Sequence, residues 1–155
     1  MSKLTEDSLE FARKHIEKFY DSDFFPKTFE FQAIWHCWDE VKYDLLSKNI
    51  GKLSITNPRT LTSKKPKEGF RVVHQLEPID SLIYTALVYS VAEQIEQARV
   101  DINSKVACSY RIKINDGSFF SNNNGFLSFA TQSEELANNY QYVLATDITD
   151  FYNQI

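Results

Sequence analysis

Apolar residues recur at helical spacing in the first stretch of the chain, where Leu9, Ala12, Ile16, Phe19 and Tyr20 share one stripe behind Thr5, a residue suited to cap a helix. A second stripe, Phe31, Ile34, Trp35, Trp38, Val41 and Leu45, predicts one helix over Phe29–Ser47, with Asn49 to Gly51 as its exit. Both Trp residues are most simply core. "FRVVHQL" alternates instead: Phe70, Val72, His74 and Leu76 oppose Arg71, Val73 and Gln75, the period of a strand with one charged face. Pro78 ends that strand. Asp80 can then cap a third helix over residues 81–99, striped by Ile83, Leu87, Val91 and Ile95. "KVACSYRIKI" predicts a strand over 105–114, Asp116-Gly117 a turn, "SNNNG" a loop, and "SEELANNY" a short helix over 133–140. "YQYVLATDI", residues 140–148, is apolar on both faces, as in a strand buried between layers.

Helices and strands alternate irregularly, with no repeat and no low-complexity tract, so the pattern predicts one α+β unit. A chain of 155 residues with 43% hydrophobic and 25% charged residues has room for a sizeable core. No apolar run reaches membrane-spanning length, and charges interrupt the opening residues where a signal peptide would be apolar, so a cytoplasmic location with no membrane partner is expected. Cys37 and Cys108 lie far apart and in no CxxC, which predicts reduced, buried thiols. His15 and His36 have no second ligand at metal spacing, and His74 is expected to pack. Most of the 8 Tyr and 12 Phe fall on apolar stripes and are assigned to the core.

Net charge is -4, which argues against a globally basic nucleic-acid binder, but the charge is uneven. In "RTLTSKKPKEGFR" five basic residues (Arg59, Lys64, Lys65, Lys67, Arg71) stand against Glu68 alone, a net +4 that leaves -8 for the rest. Such a run is either a solvated loop or a phosphate-binding surface.

Asp147 ends an otherwise apolar segment, where a buried carboxylate without a partner costs several kcal/mol, on the order of 5. It is either a cap for the next helix or a ligand. A phosphoryl-accepting DxDx(T/V) site needs its second acid two residues on, whereas Asp150 is three away. One unanchored acid does not make a glycosidase pair. A ligand for Mg²⁺ in phosphate chemistry fits the residue type, since that ion takes one or two carboxylates together with substrate oxygens.

"DITDFY", residues 147–152, resembles the first palm motif of reverse transcriptases, Asp-Ile-x-x-Phe-(Phe/Tyr). Upstream, "KPKEGFRVVHQLEPIDSLIYTALVYSV" is similar to the fingers segment of that family, and "VACSYRI" to the Ser-aromatic-Arg motif just before the palm. The three stand in the family's order over residues 64–155. "FYDSDFFPKTFEFQAIW" and the short "SYR" look more like the bacterial defence-associated enzymes, including the abortive-infection type.

The resemblance implies a helical N-terminal region over 1–60, a fingers-like region over 61–139 and the start of a right-hand polymerase palm over 140–155. It makes Asp147 the catalytic metal ligand, with the carbonyl of Ile148 beside it, for two Mg²⁺ ions. It gives Arg71, Lys67, Lys65 and Arg111 to the incoming triphosphate, although Arg111 equally suits a salt bridge between fingers and palm. Tyr152 would lie under the sugar and exclude a 2′-hydroxyl. The implied partners are an RNA template, a DNA product and deoxynucleoside triphosphates, with a homo-oligomer compatible. No (Phe/Tyr)-x-Asp-Asp occurs in these 155 residues, so the expectation is an N-terminal fragment, inactive alone, of an RNA-directed or template-independent DNA polymerase serving antiphage defence. A non-catalytic RNA-binding or assembly module is the alternative; a metal-dependent phosphohydrolase leaves the upstream motifs without a role.

Overall fold

In a computed structural model, residues 4–19, 28–65, 69–104, 106, 107, 109–120, 125–144, 146 and 147 are described. They form five helices and two small antiparallel sheets of two strands each, an α+β arrangement. The chain divides into two compact units, Met1–Arg99 with Ile112–Ser121, and Val100–Arg111 with Asn122–Ile155.

The first unit opens with α1 (Glu6–Phe19). Thr5 caps it reciprocally with Ser8: Ser8 N donates to Thr5 Oγ1 at 3.2 Å and Thr5 N to Ser8 Oγ at 2.9 Å. Leu9, Ala12 and Ile16 are buried as the stripe predicts, Phe19 at its end is exposed, and Tyr20 lies outside the described residues. The long helix expected over 29–47 is instead two, α2 (Glu30–His36) and α3 (Trp38–Ser47), because Cys37 leaves the helical region at φ -109°, ψ 36°. Neither Pro nor Gly marks the break. Across it the Trp35 and Trp38 rings meet edge to face at 5.5 Å, the Arg13 guanidinium lies 5.6 and 5.4 Å from them, and Trp38 Nε1 donates to Glu10 on α1 at 2.8 Å. Cys37 itself is exposed rather than buried, because the break turns it out of the apolar stripe. Cys108 lies outside the described residues.

Among its described residues the basic run is mostly strand rather than loop. Its first half is β1 (Arg59–Lys64), which pairs antiparallel with β2 (Phe70–Gln75). Lys65 N donates to Gly69 O at 3.0 Å beyond the last ladder pair, and Gly69 takes φ +87°, which favours glycine.

Helix α4 (Pro78–Ala98) starts at Pro78, whose missing N–H costs nothing in the first turn. The capping position is Glu77, not Asp80; Asp80 instead accepts from Thr56 N at 3.0 Å. The buried face of α4 runs through Pro78, Leu82, Ala86 and Ala92, while Val91 and Ile95 of the expected stripe are exposed. Small side chains allow close approach: Ala86 packs with Leu9, Ala12 and Ile16 of α1 in the main core, with Phe31, Trp38, Leu45 and Leu82.

A second cluster joins Phe11, Ala92 and Phe119. It seats the hairpin of β3 (Ile112–Asn115) and β4 (Ser118–Phe120), which turns at Asp116 (φ 37°) and Gly117 (φ 77°) as the Asp-Gly signal predicts. Among the described residues the strand expected over 105–114 is strand only over Ile112–Asn115, which pairs with β4; Lys105 and Cys108 lie outside the described residues.

In the second unit, α5 (Gly125–Ala137) begins well before the helix expected over 133–140 and has no buried residue. Among described residues of 140–148 no strand forms, and Tyr142, Val143 and Leu144 are exposed. An apolar segment becomes a strand only with neighbours to complete its ladder and cover its faces, and these residues have no ladder partner among those described. Among the described residues no helix is long and apolar enough to cross a membrane.

Candidate nucleic-acid interface

Strand register decides where the basic residues go. Paired residues share a face, so Arg59, Leu61 and Ser63 lie with Gln75, Val73 and Arg71, and Thr60, Thr62 and Lys64 with His74, Val72 and Phe70. The first face is partly buried at Arg59, Ser63, Val73 and Gln75; every residue of the second is exposed.

Arg59 belongs to the scaffold. Its guanidinium meets Glu77 through Nε and Nη2, each at 2.9 Å, and Glu30 through Nη2 at 2.9 Å. Its hydrogen bonds to the Glu77 and then the Glu30 carboxylate push its pKa further up. Lys64, Lys65 and Arg71 remain at the other end of the ribbon, all exposed, and among the described residues neither Lys64 nor Lys65 enters an ion pair. Ser63 faces Arg71 across the ladder. Lys65 and Arg71 are thus brought to one hairpin end, while Lys67 lies outside the described residues.

The remaining expected site residues belong to the second unit. Arg111 donates through Nη1 to the Val100 carbonyl at 2.8 Å. Asp147 is exposed, so its carboxylate avoids the burial cost that the apolar segment had implied. Ile148 and Tyr152 lie outside the described residues. Among the described residues no three of His, Cys, Asp and Glu gather as a metal ion needs, and Asp147 is one carboxylate of the several that a pair of Mg²⁺ ions takes.

His74 is not packed: it is exposed, its Nδ1 3.2 Å from Thr60 Oγ1, because its strand face is the outer one. His15 is half-buried, with Nδ1 donating to the Gly117 carbonyl at 2.7 Å and its ring against Phe119. An open cleft of about 500 Å³ beside the start of α4 contains Glu30, Glu77 and Asp80, each already engaged in the bonds described above.

Sequence reasoning missed Phe70, which is 69% exposed and lies across from Lys64. The signal was in β1: Thr60, Thr62 and Lys64 are polar, so the strand face that pairs with them looks outward. Comparison with known proteins found no matching family, no similar curated protein and no similar solved structure.

Proposed function

We propose that the chain is the fingers and opening palm portion of a reverse transcriptase-like DNA polymerase, RNA-directed or template-independent, acting in the bacterial cytoplasm in antiphage defence. The observation that carries this reading is the order of three motifs: the basic stretch with Arg71, the Ser109-Tyr110-Arg111 triplet, and "DITDFY" from Asp147. The hairpin supports it by setting Lys65 and Arg71 at one end of a ribbon anchored at the other, with Lys64 beside them. Cations there can neutralise a triphosphate, Arg71 through two parallel hydrogen bonds. Tyr152, on this reading, sits under the sugar of the incoming nucleotide, and Arg111 and Lys67 assist at the phosphates. Asp147 with the Ile148 carbonyl would be one part of a two-Mg²⁺ site whose other carboxylates, in a Tyr-x-Asp-Asp segment, these 155 residues do not contain.

The test is deoxynucleotide addition to a primed RNA template by this chain joined to a Tyr-x-Asp-Asp palm segment. Asp147→Asn is expected to abolish addition while the protein stays folded. Addition that survives Asp147→Asn would overturn the polymerase reading.

One observation favours a non-catalytic assembly module: α5 exposes Phe126, Phe129 and Leu136 and buries nothing. Such a surface suits a protein partner or a second copy. Nucleotide addition separates the two readings.

A further inference from the structure

We propose that the outer face of the β1–β2 ribbon is a platform for single-stranded nucleic acid, on which Phe70 stacks a base and Lys64 meets the neighbouring phosphate. This rests on the nucleic-acid side of the function proposed above and is independent of its catalysis.

Three cross-strand pairs make the face: Lys64 with Phe70, Thr62 with Val72, and Thr60 with His74. All six side chains are exposed, Phe70 at 69% and Val72 at 59%. An aromatic ring held open on a strand has no packing role of its own, and stacking on a base is sequence-tolerant because every base has a π-face. Directly paired residues on one face have Cβ atoms about 5 Å apart, within reach of a base and its own backbone phosphate. The Thr60 and Thr62 hydroxyls continue the line and can bond sugar or phosphate oxygens.

Charge selects the occupant. The chain carries -4 overall, yet none of the six residues is acidic, and the stretch from Lys64 to Arg71 carries four cations against one acid. A polyanion is attracted to this end of the molecule. A second copy is disfavoured, since two such faces would bring lysines together, and a stable protein interface needs roughly 20–30 residues a side where this face has far fewer. The strand must be single because a base already stacked within a duplex offers no face to Phe70.

The experiment is fluorescence anisotropy of the chain with a labelled, unstructured oligouridylate of about 12 nucleotides, within the range one small β platform covers. Phe70→Ala is expected to weaken binding about tenfold with the salt slope unchanged, and Phe70→Tyr to restore it. Lys64→Ala is expected to weaken binding and lower the salt slope by about 0.7. Phe70 is too exposed for Ala to leave a cavity, and an unchanged melting temperature verifies the fold. Equal affinity of wild type and Phe70→Ala overturns the platform, as does an absence of wild-type binding at low salt. So does a Phe70→Ala effect confined to self-association by light scattering. Phe70-dependent binding together with addition that survives Asp147→Asn in the palm-joined chain would reject the polymerase reading alone; addition abolished by Asp147→Asn together with Phe70-independent binding would reject the platform alone.

Discussion

Arg59 and Glu77 form a two-point fork, Nε to Oε1 and Nη2 to Oε2, both at 2.9 Å, that ties the first residue of β1 to the residue before α4. Glu30 of α2 holds the same guanidinium from another side. The ribbon is therefore fixed at its open end, and Lys64, Lys65 and Arg71 stand at the other. Lys at position 59 keeps the charge but cannot reproduce the planar fork. Arg59→Lys is expected to lower the melting temperature while leaving oligonucleotide affinity near wild type. The reverse pattern, unchanged melting and lost affinity, would place Arg59 among the phosphate contacts instead.

Acid should loosen the first unit in a defined window. Partial burial pushes the Glu10 carboxyl up, but hydrogen bonds from Lys42 and Trp38 more than reverse this and its pKa is lowered. Glu30 is lowered by a bond from its own backbone N–H and then by Arg59, and Asp116 by Lys14. Each carboxylate binds protons more readily unfolded than folded, so its contribution is present above the ordinary value, 4.5 for Glu, and is lost as pH falls through the lowered one. Melting temperature should drop steadily below about pH 5, and Glu10→Gln should flatten that limb. An acid limb of equal slope in Glu10→Gln would remove the Glu10–Lys42–Trp38 contact from the account.

A close approach holds the β3–β4 hairpin on α1. A side chain at Gly117 would place its Cβ 2.8 Å from Lys14 Cβ and 3.0 Å from the Lys14 carbonyl carbon, at a φ of +77°. The same seat carries the His15 to Gly117 hydrogen bond at 2.7 Å and the Lys14–Asp116 pair at 3.1 Å. Gly117→Ala combines left-handed strain with overpacking and should cost roughly 2–4 kcal/mol. Gly69, at φ +87° with open space around it, bears the strain alone, and Gly69→Ala should cost about 1–2 kcal/mol. Urea midpoints at constant m-value rank the two. Equal losses would mean that the hairpin does not rest on Lys14.

Local chemistry made part of this legible beforehand. Thr5 as a cap, the Leu9-Ala12-Ile16 stripe, β2 as a strand and the Asp116-Gly117 turn each depend on neighbours in sequence, and each is found, although the face of β2 with Phe70, Val72 and His74 is the outer one. What escaped depends on partners in space. The break at Cys37 accompanies two indoles packing across it, with no Pro or Gly nearby. The face of α4 centres on Ala86 and Ala92 because small residues let α1 come close, whereas apolar size pointed to Val91 and Ile95. Helix α5 exposes its Phe and Leu residues, so no amphipathic stripe announced where it begins.

The same distinction runs through the candidate interface. Lys65 and Arg71 were readable as charge, but only the register with β1 puts them at one end of a ribbon, shows Arg59 to be engaged elsewhere, and turns Phe70 outward. Asp147 was readable as a carboxylate after an apolar run; its exposure was not, since that depends on what covers the segment.

The central claim is that this hairpin end meets the phosphates of nucleic acid, and the salt dependence of oligonucleotide binding tests it most directly. Each cation that neutralises a phosphate of a single strand releases counterions and adds about 0.7 to the slope of log K against log salt. Replacing Lys64, Lys65, Lys67 and Arg71 together by Ala should weaken binding at low salt and flatten the slope by about 2–3. An unchanged slope in the quadruple variant, with the fold intact, would contradict the claim and return Arg59 to Arg71 to a solvated hairpin.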